Sequence, residues 1–418
     1  MTNAKSRILS GVAAHIYSQA VTVMIQLASL PIFLLRWDLE LYGQWLIIEA
    51  LPAYFAISDV GLLTSAGNLM AMHQARGETA EVNRIFNSSL AAILVLVPLL
   101  AVCVGVLLLM FTFGLSVSLR GALYVMIFVA LIAVASGLFE AAYRPFGKYP
   151  KVTFLLSTSR ITAWAGSIVG LFIGSTLASA ALGLLAGRAI FLLAMIAFAR
   201  RDIPEIRINL RTADTALIRR LLSSGVGFLS FSIGNVVTLQ GMVLMVGAQL
   251  GGAAVALFSS IRTLTRMLTQ ISTLTGRAMA PEISLLYGAG DERAAAELIS
   301  RVLWKVVPIT IVAAVLLAPL GSTILRIWSH GRLVINGTAY AILLTAAVAS
   351  SFWQIKSIRL TATNRHEFLA VIFAVVSVMA LLVAYLGDRH FGISGAAAAG
   401  CFVELSMIIG TNAALRRV

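Results

Sequence analysis

The stretch SSLAAILVLVPLLAVCVGVLLLMFTF (88–113) contains no charged residue. It is longer than the roughly 20 residues that a helix needs to cross about 30 Å of hydrocarbon. Similar runs recur along the whole chain of 418 residues, of which 60% are hydrophobic and only 11% are charged. Because backbone groups in lipid must be satisfied within their own segment, these runs predict helices. The sequence therefore indicates an all-α polytopic membrane protein and excludes a soluble globular domain.

Twelve such spans are predicted, an even number that leaves both termini on the same side of the membrane. The first run is too long for a cleaved signal peptide and is typical of a transmembrane helix. Cys103 and Cys401 lie within apolar runs, which indicates small core residues and neither a disulfide nor a metal site. The predicted spans are residues 8–35, 43–66, 88–113, 120–143, 152–175, 178–199, 221–248, 253–276, 302–326, 338–357, 368–386 and 393–414.

The 31 Lys and Arg residues give the chain a net charge of +14, and most of them fall in loops on one side of the predicted spans. Cytoplasmic loops of membrane proteins carry such an excess. The charge therefore predicts a multi-pass membrane protein with both termini in the cytoplasm, and it does not indicate nucleic-acid binding. Away from the span ends, the basic residues within spans are all arginines: Arg160, Arg188, Arg262 and Arg266.

A basic loop, RRDIPEIRINLRTADTALIRR (200–220), divides the chain near its midpoint. The two halves resemble each other weakly. RGETAEVNRIF (76–86) follows the second span, and AGDERAAAELI (289–299) follows the eighth. A six-span repeat in one orientation predicts two lobes, which is a recurrent transporter design. The predicted domains are an N-terminal six-helix lobe (1–199), a cytoplasmic linker (200–220) and a C-terminal six-helix lobe (221–418).

Polar side chains recur every three or four residues along four of the spans, which places each set on one face of a helix. These are the first and second spans and their repeat counterparts, the seventh and eighth. Two explanations account equally well for such stripes: ordinary packing between helices, and a water-filled cavity between the lobes. The stripes are His15, Gln19, Thr22 and Gln26; Glu49, Pro52, Ala56 and Asp59; Ser232, Asn235 and Thr238; and Ser259, Arg262, Arg266, Gln270 and Thr273.

Packing explains the arginines poorly, because an Arg near the bilayer centre costs at least roughly 2.5–3.5 kcal/mol. Arg266 is predicted near mid-membrane, and Arg262 lies one helical turn closer to the outer side. Both are therefore expected to face water, a counter-ion or a substrate. Arg188, midway through the sixth span, is expected either to face the cavity or to pair within its lobe. Arg160, nearer the cytoplasm, is expected to snorkel or to make a packing contact.

Two acidic residues of the second span are candidates for coupling or gating. Glu49 corresponds to Arg262 in the repeat, so one hypothesis is a direct pair that closes the pathway. Asp59 is a candidate carrier of a coupling proton or cation, and a structural brace of the helix is the alternative. Glu404 in the last span has no explanation from the sequence alone.

The segment ELYGQWLIIEALPAYFAISDVGLLTSAGNLMAMHQARGETAEVNRIFNSSL (40–90) resembles the second span and following loop of known flippases. These are the Wzx-type polysaccharide flippases of the multidrug/oligosaccharidyl-lipid/polysaccharide (MOP) exporter superfamily. Elsewhere the chain resembles this family only in length, span count and two-lobed duplication. The residues that match its pattern are Tyr42, Gly43 and Trp45; Asp59, Gly61 and Leu62; and Gly77 and Glu78.

The resemblance implies a MOP/MATE-like fold of 12 transmembrane helices in two six-helix lobes that give alternating access. It also implies a substrate, an undecaprenyl-pyrophosphate-linked glycan that is moved between leaflets for O-antigen, lipopolysaccharide or exopolysaccharide biosynthesis. A polysaccharide polymerase and a chain-length regulator would be its partners. No cofactor is implied, while a proton or sodium gradient is a candidate driving force. The cavity residues expected to hold the diphosphate and sugar are Arg262, Arg266, Gln270, Arg188, Gln19, Gln26 and Asn235.

Three other functions compete with this hypothesis. A multidrug or cation antiporter of the same superfamily would favour acidic residues in the cavity, whereas the deep charges here are more basic than acidic. A polysaccharide polymerase or membrane glycosyltransferase would be an enzyme, and those usually need a sizeable outer loop with catalytic acids or bases. The predicted outer loops are short and contain no convincing acid–base pair. A scaffold without transport activity would not need polar stripes on repeat-related helices.

Overall fold

The computed structural model describes residues 2–111, 116–363 and 365–417, with their side chains except at 2–9, 12, 55–61, 107–111, 223–232 and 281. Regular structure in these residues is helical throughout. The α-helices are α1 (Thr2–Phe33), α2 (Leu39–Ala75), α3 (Thr79–Phe111), α4 (Val117–Tyr143), α5 (Tyr149–Gly174), α6 (Leu177–Asp202), α7 (Thr215–Val236), α8 (Met242–Leu250), α9 (Gly252–Gly288), α10 (Glu292–Trp328), α11 (Gly337–Ala362), α12 (Glu367–Phe391) and α13 (Ile393–Leu415).

The helices α7 and α8 form one continuous rod, because a π-helical segment, Val237–Gly241, joins them without a break. Within the described residues there are therefore twelve rods, one for each predicted span. By length and composition, 10 helical segments are long and apolar enough to cross a membrane. α9 is not among them, since Arg262 and Arg266 lower its hydropathy. The prediction of an all-α polytopic membrane fold is confirmed.

Contacts within the chain define two compact units. The first unit comprises Met1–Trp37 and Ile48–Leu229, and the second comprises Asp38–Ile47 and Ser230–Val418. The short segment Asp38–Ile47 at the start of α2 thus belongs with the C-terminal half of the chain. The division into lobes at 1–199, 200–220 and 221–418 remains a prediction.

The internal repeat is visible in the helices themselves. α2 and α9 each contain 37 residues. Each is followed by a glycine with positive φ, Gly77 at 75° and Gly290 at 79°, a backbone conformation that other residues rarely adopt after a helix. The same helix pairs also pack within each unit: α4 and α5 contact α6 in the first, and α11 and α12 contact α13 in the second. The two halves are therefore built on one helical plan.

Small residues bring the last two helices of each half into close contact. A Cβ added at Gly183 of α6 would lie 2.0 Å from the carbonyl oxygen of Gly166 of α5. In the second unit, a Cβ at Gly395 of α13 would lie 2.2 Å from the carbonyl carbon of Gly387 of α12. Helices in lipid associate through van der Waals contact between such small residues, because no hydrophobic force drives them together. These glycines therefore fix the α5–α6 and α12–α13 pairs.

The start of α2 caps α9 inside the second unit. The backbone N–H groups of Gly252 and Ala253 donate to Oε1 and Oε2 of Glu40, at 3.0 and 2.9 Å. A carboxylate at a helix N-terminus satisfies free N–H groups and interacts favourably with the helix dipole. Gly43 lies against the same turn, since a Cβ there would come within 1.7 Å of the Gly252 carbonyl oxygen. This junction fixes the start of the helix that carries Arg262 and Arg266.

Candidate functional site

Arg262 of α9 is held by the neighbouring helix in the second unit. Its Nη1 donates a hydrogen bond of 2.9 Å to the carbonyl oxygen of Leu239, which lies in the π-helical segment. Its guanidinium carbon also lies 5.1 Å from the centre of the Phe258 ring, within the range of a cation–π contact. π-helical turns are frequent at functional sites. Arg262 therefore has a structural partner and a fixed position before any ligand binds.

Arg266, one turn further along α9, has a different environment. Its side chain is exposed, unlike the half-buried side chain of Arg262. Its charge interacts with the neighbouring charges of Arg262 and of Glu404 in α13. Like charges four residues apart on a helix destabilise each other, so a nearby carboxylate offsets part of that repulsion. Of Arg262 and Arg266, the side chain of Arg266 is therefore the more accessible.

Glu404, which the sequence left unexplained, lies in a polar cluster formed by α9, α11 and α13. The indole Nε1 of Trp353 donates a 2.6 Å hydrogen bond to Oε2 of Glu404, and Ser350 hydrogen-bonds to the same carboxylate. Gln354 Nε2 in turn donates to Ser350 Oγ at 2.7 Å. Thr273 of α9 donates to Gln354 Oε1 at 3.3 Å. We name Glu404, Trp353, Ser350, Gln354 and Thr273 the α13 cluster.

The first unit contains a comparable pairing between its second and sixth helices. Arg188 of α6 interacts electrostatically with Glu49 of α2, and the Nε atom of Arg188 is buried with no hydrogen-bond partner among the described atoms. The expectation that Arg188 either faces the cavity or pairs within its lobe stays a prediction. The arrangement gives Glu49 a nearby charge inside the first unit. The suggested pair of Glu49 with Arg262 remains a prediction.

The polarity of these pairs is reversed between the units. Arg188 in α6 and Glu404 in α13 stand at the same position counted from the first residue of their helices. In the first unit the arginine is on α6 and the glutamate is on α2. In the second unit the glutamate is on α13 and the arginine is on α9. Because the two positions match, Glu404 could have been identified from the sequence as the repeat equivalent of Arg188. That identification needs the first residue of each helix, which sequence patterns predict only to within several residues.

Arg160 of α5 makes a packing contact, one of the two roles expected for it. Its Nη1 donates to Thr22 Oγ1 at 2.8 Å, and its Nη2 donates to Ser18 Oγ at 2.7 Å and to Ser157 Oγ at 3.1 Å. Ser18 and Thr22 belong to α1, so the guanidinium joins α1 to α5 within the first unit. Thr22 therefore takes part in helix packing, which was one of the two explanations for the polar stripe of α1.

We expect Arg160→Gln to destabilise the protein by about 1–3 kcal/mol, because hydrogen bonds from a charged donor to two helices are lost. The measurement is the thermal unfolding midpoint of the purified protein in detergent. Arg36→Gln is a suitable control, since the side chain of Arg36 is exposed and, among the described residues, it makes a cation–π contact with Phe172 and no ion pair. Equal midpoints for the two variants would contradict the packing role of Arg160.

The other candidate residues lie at separate places along their helices. On α1, Gln19 is half-buried and Gln26 is exposed; on α7, Asn235 is exposed; and on α9, Gln270 is half-buried. Thr238 donates to Ser377 of α12 at 2.8 Å and is thus used in packing. The side chain of Asp59 lies outside the described residues, so its suggested coupling role remains a prediction.

Comparison with known proteins was made for both sequence and structure. No protein-family model matches the chain, and no curated protein matches its sequence. Among solved structures, an inward-facing multidrug resistance MATE family transporter of the MOP superfamily aligns with a TM-score of 0.77. That alignment has 16% sequence identity and covers 96% of this chain and 97% of the transporter. The chain has the fold of a MATE-type transporter.

Two further structures share the MATE-type fold. The lipid II flippase MurJ in an inward closed conformation aligns with a TM-score of 0.71 and 15% identity, over 98% of this chain and 87% of the flippase. A MOP superfamily transporter from Pyrococcus furiosus, described as having a binding pocket of reversed polarity, aligns with a TM-score of 0.68. Its identity is 15%, over 99% of this chain and 95% of that transporter. Drug exporters and lipid flippases thus share the fold, and substrate must be argued from the residues.

Proposed function

We propose that this chain is a flippase that translocates polyprenyl-pyrophosphate-linked oligosaccharide repeat units across the bacterial inner membrane for surface polysaccharide biosynthesis. The observation that supports this substrate most directly is the pair of arginines on α9, one of which is exposed. Two guanidiniums one turn apart repel each other. A diphosphate would relieve this repulsion through charge-assisted, forked hydrogen bonds.

The two arginines would have distinct roles in this mechanism. Arg262 is anchored to the Leu239 carbonyl and would act mainly as a fixed positive charge. Arg266 is exposed and would contact the diphosphate directly, with Glu404 as its counter-ion when no substrate is bound. When substrate binds, its phosphate would replace the Glu404 carboxylate as the counter-ion of Arg266. The guanidinium would then never be without a counter-ion in the membrane.

Amide side chains would recognise the glycan, which is rich in hydroxyl groups. Asn235 and Gln26 are exposed, and Gln19 and Gln270 are half-buried, so their amides are candidates for hydrogen bonds to sugar hydroxyls. The prenyl chain need not enter the protein, because it is as apolar as the surrounding lipid. The proposal also places both termini in the cytoplasm, as the distribution of basic loop residues favours.

The experiment that tests this function is transport by the purified protein in sealed vesicles. A fluorescent polyprenyl-diphosphate oligosaccharide is placed in both leaflets, and the fraction accessible to an external, membrane-impermeant quencher is followed over time. We expect rapid exchange with the protein and negligible exchange in empty vesicles. A cationic dye serves as the competing substrate, since a multidrug exporter would move the dye and leave the lipid-linked oligosaccharide where it is. That result would overturn the proposal.

The same vesicles test how transport is driven. If Glu49 or Asp59 couples movement to a proton or sodium gradient, collapsing that gradient with a selective ionophore will slow net transport. Unchanged net transport after each gradient is collapsed in turn would exclude such coupling.

A further inference from the structure

A cavity of about 310 Å³ lies in the first unit, where α3, α4 and α6 meet the segment that follows α6. This volume is at the lower end of the range for ligand pockets. Its floor is apolar, with Phe86 and Ile203 fully buried. Its rim is different, because Arg200 and Arg207 line the cavity and are exposed. The remaining lining residues are Phe139, Ile196, Ala199, Ile206 and Ile208.

The segment over this cavity is held in place by two asparagines of α3. The side chain of Asn83 accepts a 2.7 Å hydrogen bond from the backbone N–H of Arg207 and donates one of 2.8 Å to the carbonyl of Glu205. Asn87 donates to the carbonyl of Arg207 at 3.0 Å and accepts from the N–H of Asn209 at 2.7 Å. Both backbone groups of Arg207 are therefore fixed, and its side chain starts from a defined point at the rim.

Two acidic residues around this segment, Asp202 and Asp214, are already paired, while Glu205 is exposed and forms no ion pair among the described residues. Lys151 Nζ lies 2.6 Å from Asp202 Oδ1, and Arg84 Nη2 lies 2.6 Å from Asp214 Oδ2. Hydrogen bonds from the backbone N–H groups of Ala216 and Leu217, together with Arg84, lower the pKa of Asp214 and keep it ionised within its pair.

The rim arginines, by contrast, have no such partner. Neither Arg200 nor Arg207 has an ion pair in the part of the chain that the structure describes. Among the described residues, no carboxylate is therefore paired with the positive charge of Arg200 or Arg207 at the rim.

The position of the cavity relative to the bilayer follows from α6. This helix is a membrane span that ends at Asp202, next to Arg200, so the cavity lies where hydrocarbon meets water. Two apolar side chains of the same segment, Ile208 and Leu210, are 58% and 47% exposed. Exposed apolar residues beside arginines are typical of a segment that lies in the membrane interface. Basic pockets at this depth bind the head groups of anionic lipids.

We infer that this cavity is a binding site for an anionic glycerophospholipid of the leaflet at the α6 terminus, with one acyl chain on the isoleucine-lined floor and the phosphate between Arg200 and Arg207. The site lies within the first unit and is independent of the substrate proposed above. Asn83 and Asn87 are positioning residues, because they hold the backbone of Arg207 and do not reach the lipid.

Native mass spectrometry of the full chain in detergent tests this site, with phosphatidylglycerol and phosphatidylcholine of identical acyl chains as probes. We expect phosphatidylglycerol to be retained in preference. The double variant Arg200→Gln/Arg207→Gln should lower its retention by about tenfold, since each basic residue near a membrane surface contributes to anionic lipid binding. The matched control is Arg293→Gln/Arg301→Gln, which removes the same charge from exposed positions on α10 and should retain phosphatidylglycerol as the wild type does.

A second variant tests the contribution of the acyl chain to lipid binding separately from that of the phosphate. Ile206→Trp keeps both arginines and fills the cavity, so we expect it to lower phosphatidylglycerol retention without changing the thermal midpoint by more than the control does. Equal retention of the two lipids by the wild type would overturn the inference. So would undiminished retention by either variant, or occupancy of the cavity by a co-purified peptide in place of lipid.

Discussion

Arg266→Ala is expected to reduce translocation of the diphosphate-linked oligosaccharide by roughly 10- to 100-fold, which corresponds to losing a hydrogen bond to a charged group. The physical reason is that the guanidinium of Arg266 is exposed, while that of Arg262, one turn away, is already bonded to the Leu239 carbonyl. The measurement is the initial rate in the vesicle assay, together with surface polysaccharide restored in a bacterial strain that lacks its own flippase.

Two further variants make this result specific. Arg277→Ala removes a guanidinium from an exposed position of the same helix, beyond the α13 cluster, and should keep near-normal transport. Arg266→Lys keeps the charge but not the forked geometry, so partial activity is expected. Full polymer production by Arg266→Ala, at a normal level of protein in the membrane, would show that Arg266 does not hold the anion.

Glu404→Leu should destabilise the protein by about 1–3 kcal/mol, the cost of leaving polar groups in the interior without a hydrogen-bond partner. The variant would leave Arg266 without its nearby carboxylate and leave the Trp353 N–H and Ser350 hydroxyl without their acceptor. Thermal unfolding of the purified protein, or the yield of folded protein after detergent extraction, measures this loss.

The double variant Arg266→Leu/Glu404→Leu gives the critical comparison. Removing both charges should recover the part of the lost stability that comes from the uncompensated charge of Arg266. Transport should stay as low as in Arg266→Ala, since the arginine proposed to bind the anion is gone. If the double variant is no more stable than the sum of the two single changes predicts, Glu404 and Arg266 do not compensate each other.

Much of the fold could be predicted from the sequence, because lipid imposes a simple rule on every spanning segment. The apolar runs gave the twelve helical rods, and the glycines after α2 and α9 marked the repeat that the structure shows as left-handed turns. Helix ends were harder to predict. α2 and α9 continue well beyond their predicted spans of 43–66 and 253–276, since water-exposed turns carry no hydrophobic signal.

The candidate site could be predicted only in part. Helical spacing put Arg262 and Arg266 on one face of α9, and the cost of burying charge made both of them notable. Spacing could not distinguish their roles. Arg262 is bonded to a carbonyl in a π-helical turn, and hydrophobic periodicity does not predict such a turn.

By itself, the sequence determined that this is a helical membrane protein with an internal repeat and a few costly arginines within its spans. These properties follow from composition and from periodicity along single helices. Only the tertiary structure decided which charges lie together: Arg160 with α1, Arg188 with Glu49, and Arg266 with Glu404. The physical reason is that the partners lie on helices far apart in the sequence. Their meeting depends on helix packing, through contacts such as Gly166 with Gly183, which charge patterns along the chain do not encode.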